Sequence, residues 1–107
     1  MAKGVFVVQS SALDAEHESA FDEWYHTVHI PEILDVPGFT GARRFRIVDG
    51  AEDAHPFLTI YEIESDDVRT PLQEMYRRAQ AGEMSIPDHV MKAKAPSTIL
   101  YELTGEY

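Results

Sequence analysis

The chain has 107 residues, 19 acidic against 9 basic side chains for a net charge of −10, and no cysteine. That length predicts a single domain over residues 1–107, built on one core. The missing cysteines exclude disulfides, thiolate chemistry and cysteine-based zinc sites, and a field of this sign disfavours nucleic acid and anionic membrane surfaces as partners. No stretch approaches the roughly 20 apolar residues that span a bilayer. Met1-Ala2-Lys3-Gly4 lacks the basic start and small-residue cleavage site of a signal peptide, so a cytoplasmic location is expected.

Residues Lys3 to Gln9 read as a first strand, ended by Ser10-Ser11. A helix follows from about Asp14, with Ser11 or Asp14 as its N-cap; Phe21, Trp24, Tyr25 and Val28 recur at the spacing of one buried helical face. Pro31 removes a backbone donor and restricts Ile30, which predicts an end or a kink near His29 and a short further turn through Leu34. After Pro37-Gly38, residues Phe39 to Val48 form a second strand, a polar loop runs from Asp49 to Asp53, and Pro56 to Glu64 form a third strand. Thr70, Pro71 and Gln73 have the pattern of an N-cap, first helical residue and capping box. Leu72, Met75, Tyr76 and Ala79 supply the buried stripe of that second helix, and Gly82 its stop. Glu83 to Pro96 is a looser stretch, and Ser97 to Leu103 is a fourth strand.

The order is β-α-β-β-α-β, an α+β, ferredoxin-like arrangement in which a four-stranded antiparallel sheet carries two helices on one face. Phe57, Thr59, Tyr61 and Ile63 share one face of the third strand and Leu58 and Ile60 the other; Phe6 and Val8 oppose Val5 and Val7 in the first. Both faces are apolar, yet the helices can cover only one, so the second face requires a partner. A second copy of the same sheet is the simplest, and a sheet-to-sheet homodimer is expected.

The segment from Trp24 to Gly38 concentrates the residues capable of chemistry. At helical spacing Tyr25 falls at the margin of the buried stripe and His29 one turn beyond, where a titratable ring is both held and reachable. A helix C-terminus favours a protonated His29 and partial burial a neutral one; the residues leave that balance open, and a histidine in this place can equally be a helix cap. His26, four residues after Asp22, reads as half of a solvated pair, and a metal site from His26 and His29 with Asp22 or Glu32 fits helical zinc spacing poorly, so no metal is expected. His17 falls on the buried stripe, while His55 and His89 stand alone. Arg44 lies in a covered strand and needs a carboxylate, Glu62 or another acid, or a ligand anion. Tyr61 can pack or donate to a substrate oxygen. Trp24, Phe21, Phe57 and Tyr76 would line a crevice suited to a small hydrophobic metabolite.

The run Phe21-Asp22-Glu23-Trp24-Tyr25-His26-Thr27-Val28-His29-Ile30-Pro31, then Val36-Pro37-Gly38-Phe39, Ala42-Arg43-Arg44-Phe45 and Phe57-Leu58-Thr59-Ile60-Tyr61-Glu62-Ile63, resembles the dimeric α/β-barrel superfamily, in particular its EthD-like bacterial members. The resemblance extends to about Ala79 and is weaker over 82–96. It implies a ferredoxin-like dimer with a pocket between helices and sheet, and Tyr25, His29 and Arg44 match the family pattern. Relatives include isomerases, cyclases, cofactor-free monooxygenases and haem-degrading enzymes, the last without a full match here. The expected function is cofactor-independent lyase, isomerase or cyclase chemistry on a small aromatic or hydrophobic metabolite. His29 would move the proton, Tyr25 or Tyr61 would polarise a carbonyl, and Arg44 would hold an anion. The alternatives are a ligand-binding or accessory dimer without catalysis, and an oxygenase.

Overall fold

A computed structural model describes residues 1–107. Four antiparallel strands, β1 (Ala2–Ser10), β2 (Phe39–Arg46), β3 (Phe57–Ser65) and β4 (Ser97–Glu102), lie in the order β2-β3-β1-β4. β1 pairs along its whole length with β3, Phe6 opposite Tyr61 and Ser10 opposite Phe57, and on its other edge with β4, Phe6 opposite Leu100. The period-two alternation places Phe6, Val8 and Ser10 of β1 and Phe57, Thr59, Tyr61 and Ile63 of β3 on the buried face. The molecule measures 42 × 36 × 20 Å, a slab one sheet and one helix layer thick.

The first helical region is continuous from Ala15 to Leu34 but changes its winding. A 3₁₀ turn (Ala15–His17) is capped by Asp14, whose Oδ1 accepts from the His17 backbone N–H at 3.0 Å. α1 (Glu18–Trp24), a π turn (Tyr25–His29) and α2 (Ile30–Leu34) follow. The kink expected from Pro31 is this π turn: the Ile30 N–H reaches back five residues to the Tyr25 carbonyl. Pro31 has no N–H for the Thr27 carbonyl, and its ring would crowd that carbonyl in an α-helix; widening the turn relieves both. Thr27 Oγ1 also donates to the Glu23 carbonyl at 2.8 Å, a contact that bends helices.

α3 (Arg69–Gln80) begins earlier than its sequence pattern indicates. The side chain of Asp67 accepts from the Arg69 N–H at 2.9 Å and starts the turn, so Thr70 lies inside the helix and makes no capping bond. Leu72 and Met75 are buried as expected; Tyr76 is half exposed at the stripe's edge. Gly82, at φ +75°, stops the helix. Gly38 turns at φ +99° with its α-carbon against the Pro71 ring, where a Cβ would collide. The looser stretch contains one further short helix, α4 (Asp88–Met91).

Two apolar clusters fill the helix–sheet interface. One joins Phe6, Val8 and Tyr61 to Ile33, Val36, Val68, Leu72 and Met75; the other is the aromatic group Phe21, Trp24, Tyr25 and Phe57. No helix is long and apolar enough to cross a membrane.

Candidate functional site

A cavity of about 280 Å³ opens at the seam between the two clusters. Its walls are mainly apolar: Phe6 and Val8 from the sheet, Phe21 and Trp24 from α1, Met75 and Tyr76 from α3, and Met84, Ile86 and Val90 from the 82–96 stretch. The polar groups that line it are Ser10, Ser11, Tyr25, His29, Lys94 and Thr98.

The π turn arranges the aromatic part of this wall. Trp24 and His29 are five residues apart, which on an α-helix at ~100° per residue would place them on different faces. Closing a turn over five residues instead stacks them, with centroids 4.4 Å apart and planes 17° from parallel. Tyr25 meets His29 edge-on at 5.1 Å and 88°, with no hydrogen bond between them. The indole N–H of Trp24 donates to the Ser85 carbonyl at 2.8 Å, and the Glu32 carboxylate accepts the Ser85 N–H at 3.1 Å. The 82–96 stretch is thereby fastened over the pocket by the segment that carries His29.

Tyr25 is 4% exposed, a core residue rather than one at the stripe's margin. His29 is not at a helix C-terminus, because the helical path continues through it to Leu34, so no terminal carbonyls favour its proton. Burial, then the charge of Arg44, lowers its pKa to about 4. The imidazole is therefore neutral near pH 7, and its Nδ1 is enclosed without a partner. Burial raises the Tyr25 phenol, opposed by Ser10 and Arg44, and raises Tyr61 more strongly; both remain protonated donors near pH 7.

Arg44, Phe57 and Tyr61 stand behind the wall rather than on it. The Arg44 guanidinium lies 3.9 Å from the Tyr25 ring centroid and 4.8 Å from that of Phe57. Its Nε donates to Asp22 at 2.9 Å and one Nη to Thr59 at 3.0 Å, the residue opposite it across the β2–β3 ladder. Its carboxylate partner is thus Asp22, while Glu62 lies 3.7 Å from Arg43. Asp22, its carboxyl lowered chiefly by that hydrogen bond, also approaches the exposed His26 at 3.4 Å. Tyr61 is fully buried with its hydroxyl unpartnered.

The remaining histidines are neither isolated nor core. His17 pairs with Asp14 at 2.6 Å and stacks on His89, and His55 Nδ1 lies 2.7 Å from Ser11 Oγ. No three acidic or histidine side chains converge in a metal-binding group. Ser10, Ser11 and Lys94 did not stand out in the sequence, because their place at the pocket depends on strand register and on the path of 82–96. Met84, Ile86 and Val90 are the large apolar residues of that stretch that line the cavity.

The strand order and the one-sided helix layer define a ferredoxin-like fold. It is similar to the crystal structure of an ethyl tert-butyl ether (EthD) family protein from Bacillus halodurans C-125, at 21% identity over 97% of this chain and 100% of that one, with a TM-score of 0.62. It is also similar to a monooxygenase candidate from Shewanella loihica PV-4, at 17% identity over 99% of both chains and a TM-score of 0.63. No curated protein matches the sequence. The chain belongs to the family described as Domain of unknown function (DUF4286), which matches residues 5–102.

Proposed function

We propose that the protein is a cofactor-independent enzyme, a homodimer through its open sheet face, that acts on a small hydrophobic or aromatic metabolite by proton transfer at carbon. The observation that carries this reading is the uncharged His29 in the wall of an apolar pocket, stacked on Trp24 and beside the donor Tyr25. A neutral imidazole is ready to accept a proton; with a pKa of about 4 it starts each cycle as the base, not the acid. The phenol of Tyr25, held protonated by burial, then donates a hydrogen bond to the carbonyl oxygen as negative charge develops on it. Trp24, Phe21 and Tyr76 form the walls against which the substrate packs. Arg44 acts from behind, fixing the Tyr25 ring and helping to keep His29 neutral. Removal of a proton α to a carbonyl is the step shared by isomerisations, cyclisations and lyase eliminations.

The test is exchange of α-protons for deuterium, followed by NMR, in aryl ketones selected from a panel that raises the melting temperature. The native protein is expected to catalyse exchange, and His29→Ala to lose on the order of 10²–10⁴-fold of that rate while still binding. Full exchange by His29→Ala would remove the base role. Binding without exchange by the native protein would favour the non-catalytic reading. The shared fold with a monooxygenase candidate favours one other outcome, oxidation of an ionised phenol by dioxygen. Oxygen uptake with a phenol panel distinguishes it.

A further inference from the structure

Among the residues lining the pocket, Lys94 is the only one that is charged near neutral pH, since the sole histidine in the wall is His29. No carboxylate lines the cavity, and no acidic side chain lies within ion-pair distance of Lys94. Its ammonium has one hydrogen bond, to the backbone carbonyl of Asp53 outside the cavity lining at 3.0 Å, which does not neutralise it. In a chain of net charge −10, an unneutralised cation beside an apolar cavity is a selective feature. Ser11 and Thr98 line the same cavity, so hydroxyl groups accompany the ammonium. Arg44, the cation expected from sequence to hold an anion, is already engaged by Asp22 and lies behind the wall.

We infer that the pocket selects hydrophobic monoanions, with the ring or chain of a small carboxylic acid against Trp24 and Phe21 and its carboxylate on Lys94 and the Ser11 hydroxyl. The inference deepens the proposed function, resting on its reading of the cavity as the substrate site, and names the substrate class. The Ser11–His55 contact of 2.7 Å fits this role. With the proton on His55 Nδ1 the ring donates to Ser11 Oγ, which leaves the serine hydrogen free for a carboxylate oxygen. A carbonyl elsewhere on the same acid would acidify the adjacent C–H, whose proton His29 accepts while the electron pair passes into the enolate, so keto acids combine both requirements.

The experiment compares 4-phenylbutyrate with its uncharged isostere 4-phenylbutyramide by titration calorimetry. The native protein is expected to prefer the acid by about tenfold, the size of one charge-assisted contact at a partly open site. Lys94→Met, an exposed position whose loss leaves the core intact, should erase that preference while leaving the amide's affinity unchanged. Lys92→Met, exposed and outside the pocket, should retain it. Equal binding of acid and amide to the native protein, failure of both to bind, or a preference that survives Lys94→Met would overturn the inference. His29→Ala separates it from the broader reading: a variant that keeps the acid preference and full proton exchange contradicts the base role alone. Loss of exchange in that variant, with no acid preference in the native protein, contradicts the carboxylate site alone.

Discussion

An imidazole in water gains its proton near pH 6.5, whereas His29 does so only near pH 4. The difference is a statement about stability as well as chemistry. Above pH 6.5 both the folded and the unfolded chain hold His29 neutral, and the native state has its full stability. Between about 6.5 and 4 the unfolded chain binds the proton and the native one does not, so stability falls as the pH falls, by on the order of 3 kcal/mol at most. Below pH 4 this residue adds no further loss. His29→Gln, which cannot titrate, is expected to flatten that part of the curve in urea unfolding measured from pH 7 to 4. An unchanged slope would show that His29 is protonated in the native state well above pH 4. Trp24 gives an independent reading, being the only tryptophan and stacked on the ring at 4.4 Å: its emission should titrate with a midpoint near 4 in the native protein and lose that step in the glutamine variant.

At the scale of elements, the decisive feature is the π turn between α1 and α2. It stacks Trp24 on His29, a contact that a regular helix would not make, beside the edge-on Tyr25 and with the Trp24 N–H on Ser85. If Pro31 causes the turn, Pro31→Ala restores a donor for the Thr27 carbonyl and lets the helix return to regular α winding. The expected result is unchanged or higher thermal stability, because the exposed proline contributes no core packing, together with a shifted Trp24 emission and lost proton exchange. An unaltered emission spectrum would assign the turn to the surrounding packing instead. Pro31 was legible in the sequence as a disturbance near His29, but a proline alone does not distinguish a helix end from a widened turn. Strand positions and the one-sided helix layer were legible because period-two and helical spacings survive in β1, β3 and the Phe21–Val28 run. The cap of α3 was not, since Asp67 and Thr70 both offer oxygens to its first turn and only the backbone path selects Asp67. The pocket's cation was hidden for a related reason: Lys94 comes to line the same cavity as Ser11, and to bond the carbonyl of Asp53, only after the sheet has closed.

For the whole molecule, the open question is what faces the outer surface of the sheet. Across its middle runs a row in which Ile99, Val7 and Ile60 are cross-strand neighbours, with Arg43 at the end. Val5 and Leu58 add to it, and Tyr101 and Phe45 are 52% and 43% exposed. The helices cannot reach this side, and an apolar surface of this continuity is the mark of an interface. A self-complementary sheet face suits a two-fold dimer, in which each copy supplies the layer that the other lacks. An interface of ordinary size buries roughly 1,200–2,000 Å², within reach of a four-stranded face. Such a dimer would leave the pocket free, because the cavity opens on the opposite, helical side of the sheet. Ile60→Asp places a charge in the centre of the row without touching the cavity. It is expected to convert a sedimenting dimer to a monomer at micromolar concentration, with the far-ultraviolet dichroism and the affinity for 4-phenylbutyrate retained. A native protein that sediments as a monomer at that concentration contradicts the dimer. A variant that loses acid binding along with its partner would instead mean that the second copy completes the site.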